Sequence, residues 1–150
     1  MTTMTQNITT VHQVYIRATA EQIWEAITKP EFTLKYFYGT RVESDLAVGS
    51  PFLYRAADSD ELLVEGEVLE SDPPKRLSVT WRFLYDPDLA AEEPSRVTWE
   101  IEPQEGGGYC KLTAVQEGLG EKSAEHVSSG WPYIVSGLKT LLETGKPLAG

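Results

Sequence analysis

The sequence predicts an α+β domain in which a curved antiparallel sheet wraps around one long C-terminal helix. Two patterns indicate this. In residues 121–145, apolar side chains recur every three or four positions, which places them on one side of a helix of about 23 residues. Such a helix is roughly 35 Å long and needs a large surface to cover it. In residues 40–117 the period is mostly two, and no connection there is long enough for a crossover helix, so neighbouring strands should be antiparallel.

The chain begins with a predicted strand followed by two helices. Residues 8–17 are rich in β-branched side chains, which favour a strand. Thr19 precedes the next periodic stretch and Gln22 follows three residues later, which is the capping-box pattern of a helix start. Pro30 ends this helix, because the residue before a proline is pushed out of the helical region. Residues 31–37 predict a second, short helix.

Six further strands are predicted between the second helix and the last one. The alternation is clearest around Trp81 and Trp99, where large apolar side chains alternate with Ser, Thr, Arg and Glu. One face of the sheet should therefore be buried in the core, and the other should be exposed to solvent. The connection at residues 86–95 looks loose. The six strands are predicted at residues 40–45, 51–56, 62–71, 76–85, 96–102 and 109–117.

Composition favours one domain and excludes several classes of partner. A chain of 150 residues with 41% apolar residues fits a single compact domain, placed at residues 8–148 with a flexible tail at 1–7. Lys and Arg total 13 against 23 Asp and Glu, a net charge of -10, so nucleic acid and anionic membranes are unlikely partners. A single cysteine, Cys110, excludes an internal disulfide. With no signal peptide and no membrane span, the expected location is the cytoplasm.

The sequence contains no recognisable catalytic or metal-binding motif. It has no glycine-rich phosphate loop, no Gly-x-Ser-x-Gly elbow, and no His or Cys pair at metal-ligand spacing. His126 is most simply a solvent-side residue near the start of the last helix. We therefore predict no metal, no cofactor and no catalytic residue, and favour a binding protein over an enzyme.

The aromatic side chains are the more informative signal. Four Trp, seven Tyr and four Phe would overfill the core of a small domain, since each buries about 150–250 Å². A lined pocket relieves the crowding, and a solid core with only small voids is the alternative. Gln116 or a tyrosine hydroxyl could orient a ligand there. The predicted cavity lining is Trp24, Tyr54, Trp81, Phe83, Trp99, Gln116, Val127, Trp131 and Ile134, with Tyr133 as a further candidate.

The middle of the last helix should be irregular. Pro132 removes one backbone hydrogen bond, so the helix should either kink or begin there. Gly130 beside it would permit close approach by the sheet. We expect the cavity to open at this point, whereas Leu138, Leu141 and Leu142 should be plain core.

Three segments resemble a known family. Residues 18–30 (ATAEQIWEAITKP), 66–81 (GEVLESDPPKRLSVTW) and 130–145 (GWPYIVSGLKTLLETG) are similar to the bacterial single-domain relatives of the C-terminal domain of the Hsp90 ATPase activator. That group belongs to the START-like, Bet v 1-like (SRPBCC) superfamily. The resemblance spans about residues 11–148. It implies a helix-grip fold: a seven-stranded antiparallel sheet around a long C-terminal helix, two short helices after the first strand, and a cavity between sheet and helix.

The resemblance implies several functions rather than one, because this superfamily includes lipid carriers, hormone receptors, aromatase/cyclases and co-chaperone domains. Many relatives have a histidine where this chain has Gln116, which lowers the expectation of acid/base catalysis. The leading hypothesis is binding of a small hydrophobic or aromatic ligand. The alternatives are a co-chaperone-like interaction module, with a chaperone or other protein as partner, and a cyclase- or hydrolase-type enzyme that uses the same cavity. A monomer and a homodimer are both compatible with the sequence.

Overall fold

The computed structural model describes residues 7–148 and confirms the helix-grip architecture. Seven antiparallel strands form one sheet in the order β1-β7-β6-β5-β4-β3-β2, and the long helix α4 packs against it. The predicted flexible tail lies, except for Asn7, outside the described residues. The elements are β1 Ile8–Ile16, α1 Ala20–Thr28, α2 Pro30–Tyr36, β2 Arg41–Glu43, β3 Pro51–Arg55, β4 Leu62–Asp72, β5 Arg76–Phe83, α3 Pro87–Ala90, β6 Ser95–Pro103, β7 Cys110–Leu119 and α4 Glu121–Thr144.

The inner face of the sheet is a continuous apolar surface, because cross-strand partners carry large side chains in register. Leu77 of β5 stands opposite Trp99 of β6, which in turn stands opposite Ala114 of β7. Each is almost fully buried. On the outer face, Arg76 and Arg96 both form ion pairs with Glu70. The outer face is therefore covered by charged side chains rather than by another layer of structure.

Gly66 lets two strands approach more closely than any other residue would allow. A Cβ atom at this position would lie 1.9 Å from the backbone oxygen of Thr80 on β5. The register of β4 against β5 shifts nearby, between Val68 and Glu70. Irregularities of this kind bend a strand and increase its twist. The glycine of the motif at residues 66–81 thus contributes to the curvature that makes the sheet concave.

Helix α1 begins as the sequence predicts. The Thr19 hydroxyl accepts a hydrogen bond from the Gln22 backbone N–H at 3.1 Å, and the Gln22 side chain accepts one from the Thr19 backbone N–H at 2.8 Å. Both caps of the predicted capping box are therefore present. The helix buries Ala20, Ile23, Ala26 and Ile27 against the core.

Helix α4 runs unbroken from Glu121 through Pro132 to Thr144. Of the two alternatives that the sequence leaves open at Pro132, a kink or a helix start, the structure excludes the start. The proline lacks an N–H for the Ser128 carbonyl, but both residues are on the exposed side of the helix, where water can bond that carbonyl. Gly145 ends the helix at φ 79°, a left-handed conformation that glycine adopts without strain.

The start of α4 is capped by a residue from the connection at residues 86–95, which the sequence predicts as a loose loop. That connection contains the short helix α3, which the sequence analysis missed. Glu92 follows it, and its carboxylate accepts hydrogen bonds from the backbone N–H groups of Lys122 (3.2 Å) and Ser123 (3.0 Å). Burial alone would raise the pKa of Glu92, but the side chain and backbone of Ser123, with the backbone and charge of Lys122, outweigh it and hold the pKa below its usual value. A negative charge is thereby placed at the positive end of the helix dipole.

We expect Gly66→Ala to lower the free energy of unfolding by about 1–3 kcal/mol, because the added Cβ would force β4 and β5 apart. Gly130→Ala is the matched control. Its Cβ would meet only the Tyr38 hydroxyl, at an ordinary 3.5 Å, so helix propensity should stabilise the protein by up to about 1 kcal/mol. Urea denaturation followed by circular dichroism measures both changes. Equal stability of Gly66→Ala and the unmodified protein would contradict the account of the sheet's curvature.

Candidate functional site

A cavity of about 450 Å³ lies between the sheet and the first half of α4. Strands β3, β4, β5 and β7 supply its inner side, α4 supplies the opposite side, and the segment after α2 supplies one edge. None of the lining residues is Asp, Glu, Lys or Arg. They are Phe37, Tyr38, Thr40, Tyr54, Leu63, Val64, Trp81, Phe83, Tyr85, Gln116, His126, Val127, Ser129, Gly130, Trp131 and Ile134.

Most of the predicted lining residues meet at this cavity. Those in the lining are Tyr54, Trp81, Phe83, Gln116, Val127, Trp131 and Ile134. Trp24 and Trp99 are not among the residues that line it. Trp24 is half-buried on α1, which packs on α2 and β6 rather than over the cavity. Trp99 stands opposite Leu77, farther along the strands than Trp81, with its ring centroid 6.2 Å from that of Trp131.

The candidate Tyr133 also lies outside the lining. It is exposed on α4 and stacks on Tyr38 with ring centroids 5.2 Å apart. Leu138 and Leu141 are buried in the core as predicted, and Leu142 is partly buried against it. The cavity therefore belongs to the N-terminal half of α4, while the C-terminal half packs directly.

A chain of buried hydrogen bonds ties α4 to the sheet at one side of the cavity. The indole N–H of Trp131 donates to the Gln116 side-chain oxygen at 2.8 Å, and the Gln116 amide nitrogen donates to the Ser95 hydroxyl at 2.9 Å. All three residues are at most 6% exposed. Both ends of the Gln116 amide thus already have a protein partner. The Gln116 side chain therefore serves first to hold Trp131 in place rather than to bind a ligand.

Aromatic rings form the walls of the cavity. Phe37 stacks on Tyr54 with centroids 4.6 Å apart, and Tyr54 packs at a tilt against Trp81 at 5.1 Å. Phe83 meets Trp81 edge to face at 6.2 Å. Burial raises the pKa of the Tyr54 hydroxyl well above its ordinary value, so it stays protonated and uncharged. These contacts fix the wall rings in place before any ligand arrives.

One polar group in this wall has no partner. The Nε1 atom of Trp81 is buried and has no hydrogen-bond acceptor among residues 7–148. The same indole atom of Trp131, across the cavity, is bonded to Gln116. A buried donor left unpaired costs about 1–3 kcal/mol. Because this nitrogen is itself buried, it does not face the open space of the cavity.

The mouth of the cavity is more polar than its interior. The hydroxyl of Tyr85 lies 2.5 Å from Nε2 of His126, and Ser129 is exposed at the same opening. Burial, with smaller contributions from Tyr38 and Asp86, raises the pKa of Tyr85 to about 12. Tyr85 therefore keeps its proton at neutral pH, and its hydroxyl can share a hydrogen bond with Nε2 of His126.

Tyr38 has an unusual backbone conformation at the edge of the mouth. Its φ is 53°, in the left-handed region that non-glycine residues seldom adopt, and its side chain is largely exposed. The following Gly39 also has a positive φ, 67°, so the chain turns sharply between α2 and β2. This turn places the Tyr38 hydroxyl beside Gly130 of α4. The left-handed backbone is the reason that this ring reaches the cavity edge.

Sequence reasoning expected Gly130 at the opening of the cavity but missed the other mouth residues, although part of the signal was present. His126 lies three positions before Ser129 and four before Gly130, which puts the three residues on one side of a helix. Tyr85 continues the inward alternation of β5 beyond its last paired residue, Phe83. Nothing in the sequence pattern placed Tyr38 there, because its position depends on a backbone turn.

The described residues offer neither a metal site nor a helix that could span a membrane. No group of three or more His, Cys, Asp or Glu side chains within residues 7–148 could hold a metal ion. No helix in this part of the chain is both long and apolar enough to cross a membrane.

Comparison with known proteins gives one family. The profile of the family described as Activator of Hsp90 ATPase homolog 1-like protein matches residues 17–143. This range contains the whole lining of the cavity. No curated protein sequence matches the chain.

Solved structures share the fold over nearly the whole chain. Protein MLL2253 from Mesorhizobium loti is 28% identical with a TM-score of 0.75, covering 91% of this chain and 97% of its own. The Aha1 dimer from Colwellia psychrerythraea is 19% identical with a TM-score of 0.70, covering 93% and 98%. CalU16 from Micromonospora echinospora is 20% identical with a TM-score of 0.72, covering 94% and 77%. At identities below 25%, the last two show the fold alone.

We expect Gln116→Leu to lower the free energy of unfolding by about 1–3 kcal/mol, because the buried Trp131 N–H and the Ser95 hydroxyl both lose their Gln116 partner. The matched control is Gln104→Leu, which removes an exposed side-chain hydrogen bond to the Glu102 carbonyl and should change stability by less than about 0.5 kcal/mol. Denaturation followed by tryptophan fluorescence compares the two. Equal stabilities of the two variants would contradict the role assigned to Gln116.

Proposed function

This chain belongs to the Activator of Hsp90 ATPase homolog 1-like family, and we propose that it binds a small apolar or aromatic molecule in the cavity between the sheet and α4. The observation that carries the proposal is the cavity itself. Ligand sites in proteins are concave, mostly apolar, largely preformed and about 300–1,000 Å³ in volume. A cavity of about 450 Å³, lined by aromatic and aliphatic side chains with a few polar groups, fits each of these properties.

The binding energy would come mainly from removing apolar surface from water. Each 100 Å² of ligand surface buried against these walls contributes about 2.5 kcal/mol. Part of this gain is lost to the reduced freedom of the ligand and of the side chains that contact it. The second loss is small here, because Phe37, Tyr54 and Trp81 already pack against one another in the free protein. Preorganised walls thus favour useful affinity from a modest contact area.

The opening of the cavity supports exchange of the ligand with solvent. Tyr38, Tyr85 and His126 are all at least partly exposed and border the same cavity. Their polar atoms can face water while their rings cover a bound molecule. Entry would occur between the turn after α2 and the first half of α4.

The alternatives draw on other observations. An interaction module, with a chaperone as its partner, is suggested by the family's description and by the name of the Colwellia protein. An enzyme would have to use the Tyr85–His126 pair at the mouth, since the deeper cavity lining has no carboxylate, lysine or histidine. We favour ligand binding over both alternatives because it accounts for the whole cavity rather than for one part of it.

We expect the protein to bind the uncharged dye Nile red with a saturable rise in fluorescence, and Ser129→Trp to weaken that binding at least about tenfold by blocking the opening. Losing tenfold in affinity requires about 1.4 kcal/mol, which is within the cost of forcing a bulky side chain into a packed site. Ser136→Trp is the matched control. It places the same side chain on an exposed position of the same helix, outside the lining, and should bind Nile red like the unmodified protein.

Two results would overturn the proposal. One is an absence of saturable Nile red binding by the folded, unmodified protein. The other is equal binding by the Ser129→Trp and Ser136→Trp variants, which would locate the dye elsewhere on the surface.

A further inference from the structure

A second cleft lies at the free edge of β1, beside the C-terminal half of α4. The end of β1, the hairpin between β6 and β7, and α4 border a space of about 590 Å³. We infer that this cleft binds a flat aromatic molecule that carries a carboxylate. The linings of the cleft and of the cavity contain different residues, so this inference is independent of the proposed function. The side chains that carry it are Tyr15, Arg17, Tyr109, Lys139 and Glu143.

Two tyrosine rings form one wall of the cleft because of the register of β1 against β7. Tyr15 stands opposite Lys111, so Tyr109, just before β7, is its diagonal neighbour on the same face of the sheet. The two ring centroids are 6.2 Å apart, and the ring planes are tilted by 53°. Tyr15 is 53% exposed and Tyr109 is 39% exposed. A flat aromatic ligand can therefore stack on one ring and meet the edge of the other.

Arg17 supplies the charge that a carboxylate needs. It directly follows β1 and is exposed, and its guanidinium forms no ion pair among residues 7–148. Its backbone N–H donates to the Glu143 carboxylate at 2.7 Å, which fixes this residue beside α4. A guanidinium without a partner offers two parallel N–H donors, which match the two oxygens of a carboxylate.

The other charged groups of the cleft leave it positive. Lys139 donates through Nζ to the Tyr15 carbonyl at 2.6 Å and to the Glu143 carboxylate at 2.8 Å, so one of its three N–H donors is left for a ligand. The Lys139 hydrogen bond, the Arg17 backbone N–H and the charges of both residues hold the pKa of Glu143 below its ordinary value. Glu143 is therefore ionised and already paired at neutral pH. Two cations and one carboxylate line the cleft, although the whole molecule has a net charge of -10.

The exposure of the cleft suits a charged ligand better than the cavity does. A carboxylate bound beside Arg17 keeps part of its water shell, so it loses less on binding than a buried anion would. In the part of the chain that the structure describes, the cavity lining includes neither lysine nor arginine. The two sites should therefore take different molecules, an uncharged one in the cavity and an anionic one in the cleft.

Three probes with the same naphthalene ring separate the contributions of ring and charge. Naphthoate carries a carboxylate, naphthamide is uncharged, and naphthylmethylammonium carries a positive charge. Titrations followed in ¹H–¹⁵N spectra locate each probe, because the backbone amides of Gly107 and Gly108 report on the cleft and those of Val127 and Gly130 report on the cavity. We expect naphthoate to bind in the cleft about two- to fivefold more tightly than naphthamide, as an ion pair open to solvent allows, and the ammonium to bind most weakly.

Arg17→Gln tests the charge. In this variant, naphthoate and naphthamide should bind in the cleft with equal affinity. The fold should be unaffected, because the side chain is exposed and the backbone N–H that bonds Glu143 is retained. Lys35→Gln is the matched control. It removes the same charge from an exposed position on α2, outside both linings, and should preserve the preference for naphthoate.

Tyr109→Ala tests the ring. It should weaken the binding of naphthoate and naphthamide by the same factor, about two- to tenfold, because both lose the same aromatic contact. Tyr133→Ala is the matched control. Tyr133 is 40% exposed against 39% for Tyr109, but it lies outside both linings, so its removal should leave both affinities for the cleft unchanged.

Several results would overturn the inference. Equal affinities of naphthoate and naphthamide in the unmodified protein would remove the carboxylate, as would a preference for naphthoate that persists in Arg17→Gln. Tightest binding by the ammonium would make the cleft a cation site instead. Unchanged affinities in Tyr109→Ala would remove the aromatic ring from the account. Naphthoate that fails to shift the amides of Gly107 and Gly108 would leave the cleft without this ligand, whereas Nile red binding tests the cavity separately.

Discussion

The hydrogen bond from Trp131 to Gln116 is the contact on which the cavity depends. It joins the first half of α4 to β7 through two side chains that are both buried. An apolar contact could slide as the helix settles onto the sheet, whereas this bond has a defined length and direction. Ser95 fixes the amide from the next strand. The large indole therefore acts as a spacer of fixed orientation between helix and sheet, and space remains beside it.

The rest of the fold is consistent with that spacer. Gly66 permits the close approach of β4 and β5 that helps to curve the sheet, and Glu92 fixes the start of α4 from the connection between β5 and β6. At the far end of α4, Leu138 and Leu141 pack directly into the core. Helix α4 is thus fixed at its start by Glu92 and held at a set distance from the sheet near its middle by Trp131. Its C-terminal end is buried in the core. This arrangement accounts for a cavity beside the N-terminal half of α4.

Much of this could be predicted from the sequence, because it follows from periodicity. The period of two over the strands and of three to four over α4 gave the architecture, and the capping box at Thr19 gave a helix start that the structure confirms. Inward alternation also identified Trp81 and Phe83 correctly as residues of the covered face. The alternation could not tell which stretch of that face lines the cavity. Trp99 has the same pattern as Trp81 but stands opposite Leu77, farther along the strands, and is not in the lining. The lined stretch depends on where the helix sits. The cap from Glu92 and the turn at Tyr38 were missed for a related reason, since one needs a long-range contact and the other a left-handed backbone.

The most direct test of a ligand site between sheet and helix is the location of a bound molecule in solution. Isotope-filtered nuclear Overhauser spectra of the ¹³C-labelled protein with an unlabelled, uncharged aromatic ligand report which side chains lie within about 5 Å of it. The account predicts cross-peaks from the ligand to Trp81, Phe83 and Ile134. Cross-peaks confined to exposed rings outside the cavity, such as Tyr15 and Tyr109, would contradict it.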